Sequence, residues 1–330
     1  MLHTPLSRRA CMASALSLAL AGLTTPLSAS EVWPSKPVRI IVPFAPGGAA
    51  DSSARVLAEL LAPQLGQPVV VENRPGAGSA VGVTTAAQAK DGHTLLMGSN
   101  SMVINPILNP AVTYDVAKDF DALGMVSSQP LVLVVPADSA IKGLDNLVQE
   151  AKAQPGRLAA GNSGSGTLAH LTSVLFELQA KVDLTSVPYR GESALMPDLL
   201  SGRVSLGFLN LPSVMPHIRS GRLRALAVSA AQPVPDLPGV PTFRALGWPQ
   251  LEVLGWAALL VPKGTVPQEG LQRLQGLLAA ALVSETVKTK FATLGVAPMP
   301  STRDNTAAYL AQEHSRWQQV IRTRGIKADN

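Results

Sequence analysis

Short apolar, β-branched runs alternate with stretches of helical period along most of this chain. Residues 38–42 read as a buried strand, and the Pro/Gly segment 43–48 as a tight turn. From Asp51 the period becomes helical to about Leu65, with Val56, Leu57, Leu60 and Leu61 on one face and Asp51 or Ser52 as a cap. Gly66-Gln67-Pro68 stops that helix. A second strand (69–72) leads through the glycine-rich turn 73–79 into a small-residue helix ending near Lys90. Asp91-Gly92-His93 then turns the chain into a third strand, 94–98, closing at Ser99-Asn100-Ser101. Such alternation predicts parallel βαβ units.

Residues 120–136 hold two apolar segments separated only by Ser127-Ser128-Gln129-Pro130. That is longer than an ordinary strand and reads as a crossover from one lobe into another. A helix over 144–153 and a strand over 157–160 open into a third glycine turn, 161–167. Thr167 can cap the next helix, whose apolar face is Leu168, Leu171, Leu175 and Leu178. A strand ending at Tyr189, a helix to Ser201, a strand over 204–209, a helix over 212–220 and a strand over 223–229 complete this half. Pro233, Pro235, Pro238 and Pro241 mark a return linker. A buried strand (256–261) and helices over 267–283 and 284–293 follow. The last helix opens at Ser301-Thr302-Arg303-Asp304 and carries Leu310, Trp317, Val320 and Ile321 as its stripe.

The 330 residues, 46% hydrophobic and 15% charged, suffice for a globular protein of two domains with a substantial core. Residues 1–30 read as a cleaved secretory signal: Arg8 and Arg9, an apolar run from Ala10 to Leu23, then Ser28-Ala29-Ser30. The run is short for a membrane anchor, and the expectation is an exported, periplasmic protein. Ser7-Arg8-Arg9 completes a twin-arginine pattern poorly, which favours the general secretory route. Cys11 is the only cysteine and leaves with the signal, which excludes disulfides, thiol catalysis and cysteine metal sites from the mature chain. The net charge of +5 is dispersed, and no basic run suggests nucleic acid.

Three strand–turn–helix glycine segments remain to be explained: Pro46-Gly47-Gly48, Gly76-Ala77-Gly78 and Gly161–Gly166. Such turns place free N–H groups and a helix N-terminus around one concavity, which favours an anion. The third is not spaced as Gly-x-Gly-x-x-Gly, no Walker sequence occurs, and no serine sits in Gly-x-Ser-x-Gly. His93, His170, His217 and His314 lack metal-ligand spacing, so no metal, cofactor or enzymatic activity is expected. Asp51 serves as a cap, loop brace or ligand contact, and His170 as local packing or a contact. Tyr189 is a core aromatic or a cleft hydroxyl. Arg55 has a carboxylate partner within reach, and Arg190 either meets an anion or faces solvent.

The segment Trp33-Pro34-x-Lys36-Pro37-Val38-Arg39-Ile40-Ile41-Val42-Pro43-Phe44-Ala45-Pro46-Gly47-Gly48-x-x-Asp51-x-x-Ala54-Arg55 closely resembles the mature start of Bug receptors. These are the TctC-like periplasmic substrate-binding proteins of tripartite tricarboxylate transporters. The likeness continues through Val71-Glu72-Asn73-Arg74-Pro75-Gly76-Ala77-Gly78, Asp91-Gly92-His93-Thr94-Leu95-Leu96 and Gly164-x-Gly166-Thr167-x-x-His170-Leu171. It extends to Val187-Pro188-Tyr189-Arg190-Gly191, to Gly221-Arg222-Leu223-Arg224-Ala225-Leu226-Ala227-Val228 and to Val240-Pro241-Thr242.

The resemblance implies an α/β, two-lobed periplasmic binding protein of the Venus-flytrap type, with mostly parallel sheets and crossover strands between lobes. Lobe one would hold residues 31–128 and 242–330, and lobe two residues 129–241. It implies a monomer that binds a small carboxylate (a di- or tricarboxylate, an aromatic acid or an acidic amino acid) and passes it to membrane permease subunits. A loaded receptor signalling to a histidine kinase is the alternative, and a secreted hydrolase a distant one. Carried over by position, the ligand-binding residues are Phe44, Ala45, Pro46, Gly47, Gly48, Asp51, Asn100, Ser163, Gly164, Ser165, Gly166, Thr167, His170, Tyr189, Gly191 and Asn210. The chain departs from the family at Asn162, His93 and Asn210. The neutral Asn210, where an acidic residue is common, leans toward a carboxylate without an α-amino group.

Overall fold

The structure, a computed structural model, describes residues 33–326. The expected signal segment, residues 1–30, lies outside the described residues. Strands and helices alternate as β1 (Val38–Val42), α1 (Ala49–Leu65), β2 (Val69–Asn73), α2 (Ala80–Gln88), β3 (Thr94–Ser99), α3 (Asn100–Leu108) and α4 (Val116–Asp119). The 17-residue β4 (Phe120–Pro136) is followed by α5 (Leu144–Ala153), β5 (Ala159–Asn162), α6 (Leu168–Ala180), β6 (Thr185–Pro188) and α7 (Glu192–Leu200). Then come β7 (Leu206–Asn210), α8 (Leu211–Arg219), β8 (Leu223–Val228), β9 (Leu254–Pro262), α9 (Gln268–Val283), α10 (Glu285–Thr293), β10 (Ala297–Pro298) and α11 (Arg303–Arg324).

The strands run in the order β2-β1-β3-β9-β4-β7-β5-β6, with β8 and β10 also paired to β4. β1 pairs in parallel with β2 and β3, and β5 with β6 and β7, as βαβ units require. The long strands β4 and β9 pair antiparallel with their neighbours. β4 belongs to two sheets in succession. Up to Pro130 it pairs with β9, and from Leu131 it pairs with β7. The polar stretch 127–130 therefore lies inside one continuous strand, at the point where it leaves the first sheet for the second.

Side-chain alternation along the strands feeds a core on each face of each sheet. In the first sheet Ile40 and Val42 point toward Leu57, Leu274 and Phe291, under α1, α9 and α10. Ile41 points the other way, toward Met102, Trp256 and Leu310. In the second sheet Leu131, Leu133 and Val135 meet Phe176 and Phe208, whereas Val132 and Val134 meet Leu195, Leu209 and Val214. Phe243, Leu251 and Val253 pack beside Phe176 and Phe208, and so do Trp317, Val320 and Ile321. α11 thus has Leu310 in one core and Trp317 in another.

Some elements differ from the sequence expectation, among them the short α4 and β10, which the pattern does not announce. Residues 100–108 form a helix despite Pro106, because its lost N–H falls near the helix end. β5 includes Gly161 and Asn162, which the sequence assigns to the turn, because both continue the pairing to β6.

Candidate functional site

Between the two sheets lies a cleft of about 370 Å³. Its wall is built from the first turns of helices. Gly48, Ala49 and Ala50 open α1; Asn100 and Ser101 open α3; Thr167, Leu168 and Ala169 open α6; Asn210 caps α8. In α1, α3 and α8 the capping residues Gly48, Ser99 and Asn210 make no side-chain cap bond, so first-turn N–H groups are left for another acceptor. None of the described lining residues carries a charge. Ser99, Ser101, Ser127, Ser128, Ser163, Gln129 and Thr167 supply hydroxyls and an amide, and Phe44, Ile104, Leu131, Trp256 and Val296 supply apolar wall. Helix dipoles converging on an uncharged cavity favour a small anion held by N–H and O–H donors.

The turn before α1 is held by Asp51, which is 2% exposed. Its Oδ2 accepts from Gly47 N at 2.9 Å and Arg55 Nε at 3.0 Å; its Oδ1 accepts from Arg55 Nη2 at 3.0 Å and Asn73 Nδ2 at 2.9 Å. Burial alone would raise its pKa, but the bonds from Arg55, Gly47 and Asn73 outweigh it and hold the carboxyl below its usual range. Asn73 also donates to Phe44 O at 3.1 Å. Gly47 has φ +89 with open space where a Cβ would stand, so backbone conformation, not crowding, calls for glycine.

The turn before α6 is held by neutral groups. Asn162 Oδ1 accepts from Gly164 N at 3.1 Å, Thr167 Oγ1 donates to Gly164 O at 2.7 Å, and His170 Nδ1 accepts from Gly166 N at 3.0 Å. That last bond leaves Nδ1 without a proton in this arrangement. Ser163 Oγ donates to Thr167 Oγ1 at 3.3 Å. A Cβ on Gly166 would stand 2.4 Å from Leu108 Cδ1, so this turn comes up against the end of α3 across the cleft.

Of the sequence-derived site residues, Phe44, Gly48, Asn100, Ser163, Gly166, Thr167 and Asn210 line the cleft together. Ala45, Pro46, Gly47, Gly164 and Ser165 sit in the two turns, and Asp51 and His170 in the first turns of α1 and α6, all outside that lining. Tyr189 and Gly191 also lie off it: the Tyr189 hydroxyl donates to Asp198 at 2.8 Å, and Gly191 precedes α7. Asn100 turns its amide inward, donating to Leu254 O at 3.1 Å and accepting from Trp256 N at 3.0 Å. Asn210 Oδ1 accepts from Gln129 Nε2 at 3.0 Å, while its N and Nδ2 donate to Glu192 Oε1 at 3.0 and 2.9 Å. Burial pushes Glu192 above its usual carboxyl range, against lowering bonds from Ser213 and Asn210.

Sequence reasoning missed Ser99, Ser101, Ser127, Ser128, Gln129 and Trp256 as cleft wall. The available signal was the polar interruption at 127–130 inside an apolar strand. Among the described residues no helix is long and apolar enough to cross a membrane, and no group of acidic, histidine or cysteine side chains could hold a metal ion.

The family description "Tripartite tricarboxylate transporter family receptor", TctC, matches residues 53–326. BugT of Bordetella pertussis is 41% identical over 313 residues, covering 94% of this chain and 95% of that one. A solved R. palustris protein with adipate is 32% identical, with a TM-score of 0.77 over 90% of this chain and 100% of the other. MatC from Rhodopseudomonas palustris with bound malate is 30% identical, with a TM-score of 0.73 over 88% of this chain and 100% of the other. The chain therefore belongs to the TctC family of tripartite tricarboxylate transporter receptors, Bug-type periplasmic solute-binding proteins and not a family of enzymes.

Proposed function

We propose that this protein is a periplasmic receptor that captures a small carboxylate in the cleft and hands it to a tripartite tricarboxylate-type permease. The observation that carries the proposal is the convergence of four helix N-termini on a cavity whose described lining has no charged side chain. A carboxylate there gains charge-assisted bonds from N–H donors without the desolvation cost of a buried lysine or arginine. Solved structures of similar proteins with adipate and with bound malate support the class of ligand.

The donors are the first-turn N–H groups of α1, α3 and α6; Asp51 and His170 brace the turns that present them. The two lobes divide near residues 128/129 and 241/242 and hinge where β4 changes sheets, with residues 243–253 and the second half of α11 packing against the core of the second sheet. Ligand bridges the lobes and favours the closed form by its higher affinity for it. No bond is made or broken, so the protein is not an enzyme, and export uses the segment 1–30.

A thermal-shift screen of protein unfolded and refolded to strip carried-over ligand tests this. Malate, adipate, tricarboxylates, aromatic acids, aspartate and glutamate form the panel. A ligand at 100 times its Kd should add about 2.7 kcal/mol of stability. Aspartate and glutamate should rank below acids lacking an amino group, because Asn210 offers no carboxylate. No shift with any acid would refute the receptor role.

A further inference from the structure

Behind the cleft wall, α11 carries a carboxylate that is 3% exposed, Glu313. Its Oε2 accepts three N–H donors from three elements: Asn100 Nδ2 of α3 at 3.3 Å, Trp256 Nε1 of β9 at 3.2 Å and Trp317 Nε1 of α11 at 3.1 Å. Its Oε1 accepts from Arg316 Nη1 at 3.2 Å, and the same Arg316 atom donates to Glu252 O, just before β9. Two of the donors, Asn100 and Trp256, line the cleft. Asn100 is the first residue of α3, and its amide is also tied to β9 at Leu254 and Trp256.

A buried carboxylate is retained only where several donors satisfy it. Here all the donors toward the cleft are neutral, and the one cation, Arg316, lies on the half-exposed side. The oxygen therefore works as a multiple acceptor that pins the start of α3 and the indole of Trp256 at once. A glutamine of the same shape would offer one carbonyl oxygen and turn an NH₂ toward other donors.

We propose that Glu313 is the positioning residue of the anion site. It touches no ligand; by fixing Asn100 and Trp256 it aims the first-turn N–H groups of α3 into the cleft. The inference rests on the carboxylate-receptor proposal above, and it names a residue remote from the cleft in sequence that sets affinity.

The test uses the full chain, stripped of ligand, and the variant Glu313→Gln. Calorimetric titration with malate and with adipate should show Kd raised about tenfold or more, as expected for one satisfied buried bond lost. A merely structural role would destabilise the free and saturated protein equally and leave Kd unchanged. In an Asn100→Ala background the Glu313→Gln change should add less to the Kd loss than it does in the wild type, because the path through Asn100 is already gone and only that through Trp256 remains. Amide exchange over residues 99–103 of the ligand-free protein gives a readout independent of any ligand, and protection there should fall. If Glu313→Gln does not fold, Asn100→Ala alone must raise exchange over those residues and weaken binding similarly. Unchanged exchange, unchanged Kd or fully additive losses would overturn the assignment. If the wild type binds no carboxylate, the receptor proposal fails while the exchange measurement still decides the role of Glu313.

Discussion

The two turns that face each other across the cleft are built on opposite electrostatic plans. The turn before α1 hangs on a charged brace, Asp51, buried yet ionised because Arg55, Asn73 and Gly47 feed its two oxygens. The turn before α6 hangs on neutral amide, hydroxyl and imidazole groups. The carboxylate of its helix lies farther along α6, at Glu177, which takes the Arg324 guanidinium at 2.8 Å. There burial outweighs Arg324 and lifts the pKa to about 7. At Glu177 burial, helped by the Asp183 charge, outweighs Arg324 and the Leu184 N–H, whereas at Asp51 the bonds from Arg55, Gly47 and Asn73 outweigh burial.

The largest expected effect removes the charged brace. Asp51→Ala strips four hydrogen bonds from the first turn and should cost about 4 kcal/mol in denaturant unfolding, with carboxylate binding lost. Asp51 has a lowered folded pKa, so its contribution is complete above its ordinary value of 3.8 and disappears as pH falls through the lower folded value.

Glu177 has the opposite sign. Between pH 4.5 and about 7 the folded state keeps a proton that the unfolded chain has released, so stability should fall as pH rises through that window. The loss should total about 3 kcal/mol, and Glu177→Gln should flatten the curve. A wild-type profile that is level between those values would break the comparison.

Thr167→Ala removes the cap of α6 and should cost about 1 kcal/mol, read in the same unfolding experiment. The smallest change in stability is expected for Gly48→Ser. The new hydroxyl caps α1, adds a few tenths of a kcal/mol, and consumes donors that the proposed site offers a carboxylate, so calorimetry should show weaker carboxylate binding. Tighter binding in that variant would mean that the α1 terminus does not hold the anion.

Much of this was legible in the sequence, for identifiable reasons. β1 and the α1 stripe follow from periodicity, because Ile40, Ile41, Leu57 and Leu61 are all fully or nearly fully buried. The turns at Gly47 and Gly166 follow from glycine itself, since both have positive φ. α3 was not legible. Its first residue looks like loop, and it is secured by Glu313, more than two hundred residues away in sequence. Ser127, Ser128 and Gln129 read as a spacer because local pattern cannot reveal that β9 and the cleft border them. Tyr189 is ambiguous in sequence for the same reason: Asp198, which takes its hydroxyl, becomes a neighbour only through the turn into α7.

The strand order also governs how the chain can be assembled. β9 lies between β3 and β4, yet it begins at Leu254, far downstream of both. Until that segment is available, β3 and the first half of β4 each present an unsatisfied edge, and β10 cannot supply more than two residues of pairing. The first sheet is therefore closed only when the last quarter of the polypeptide arrives. Folding that depends on such distant partners is slow and leaves open edges that invite association with other chains. A nascent chain of this topology has no finished first sheet until β9 has been made.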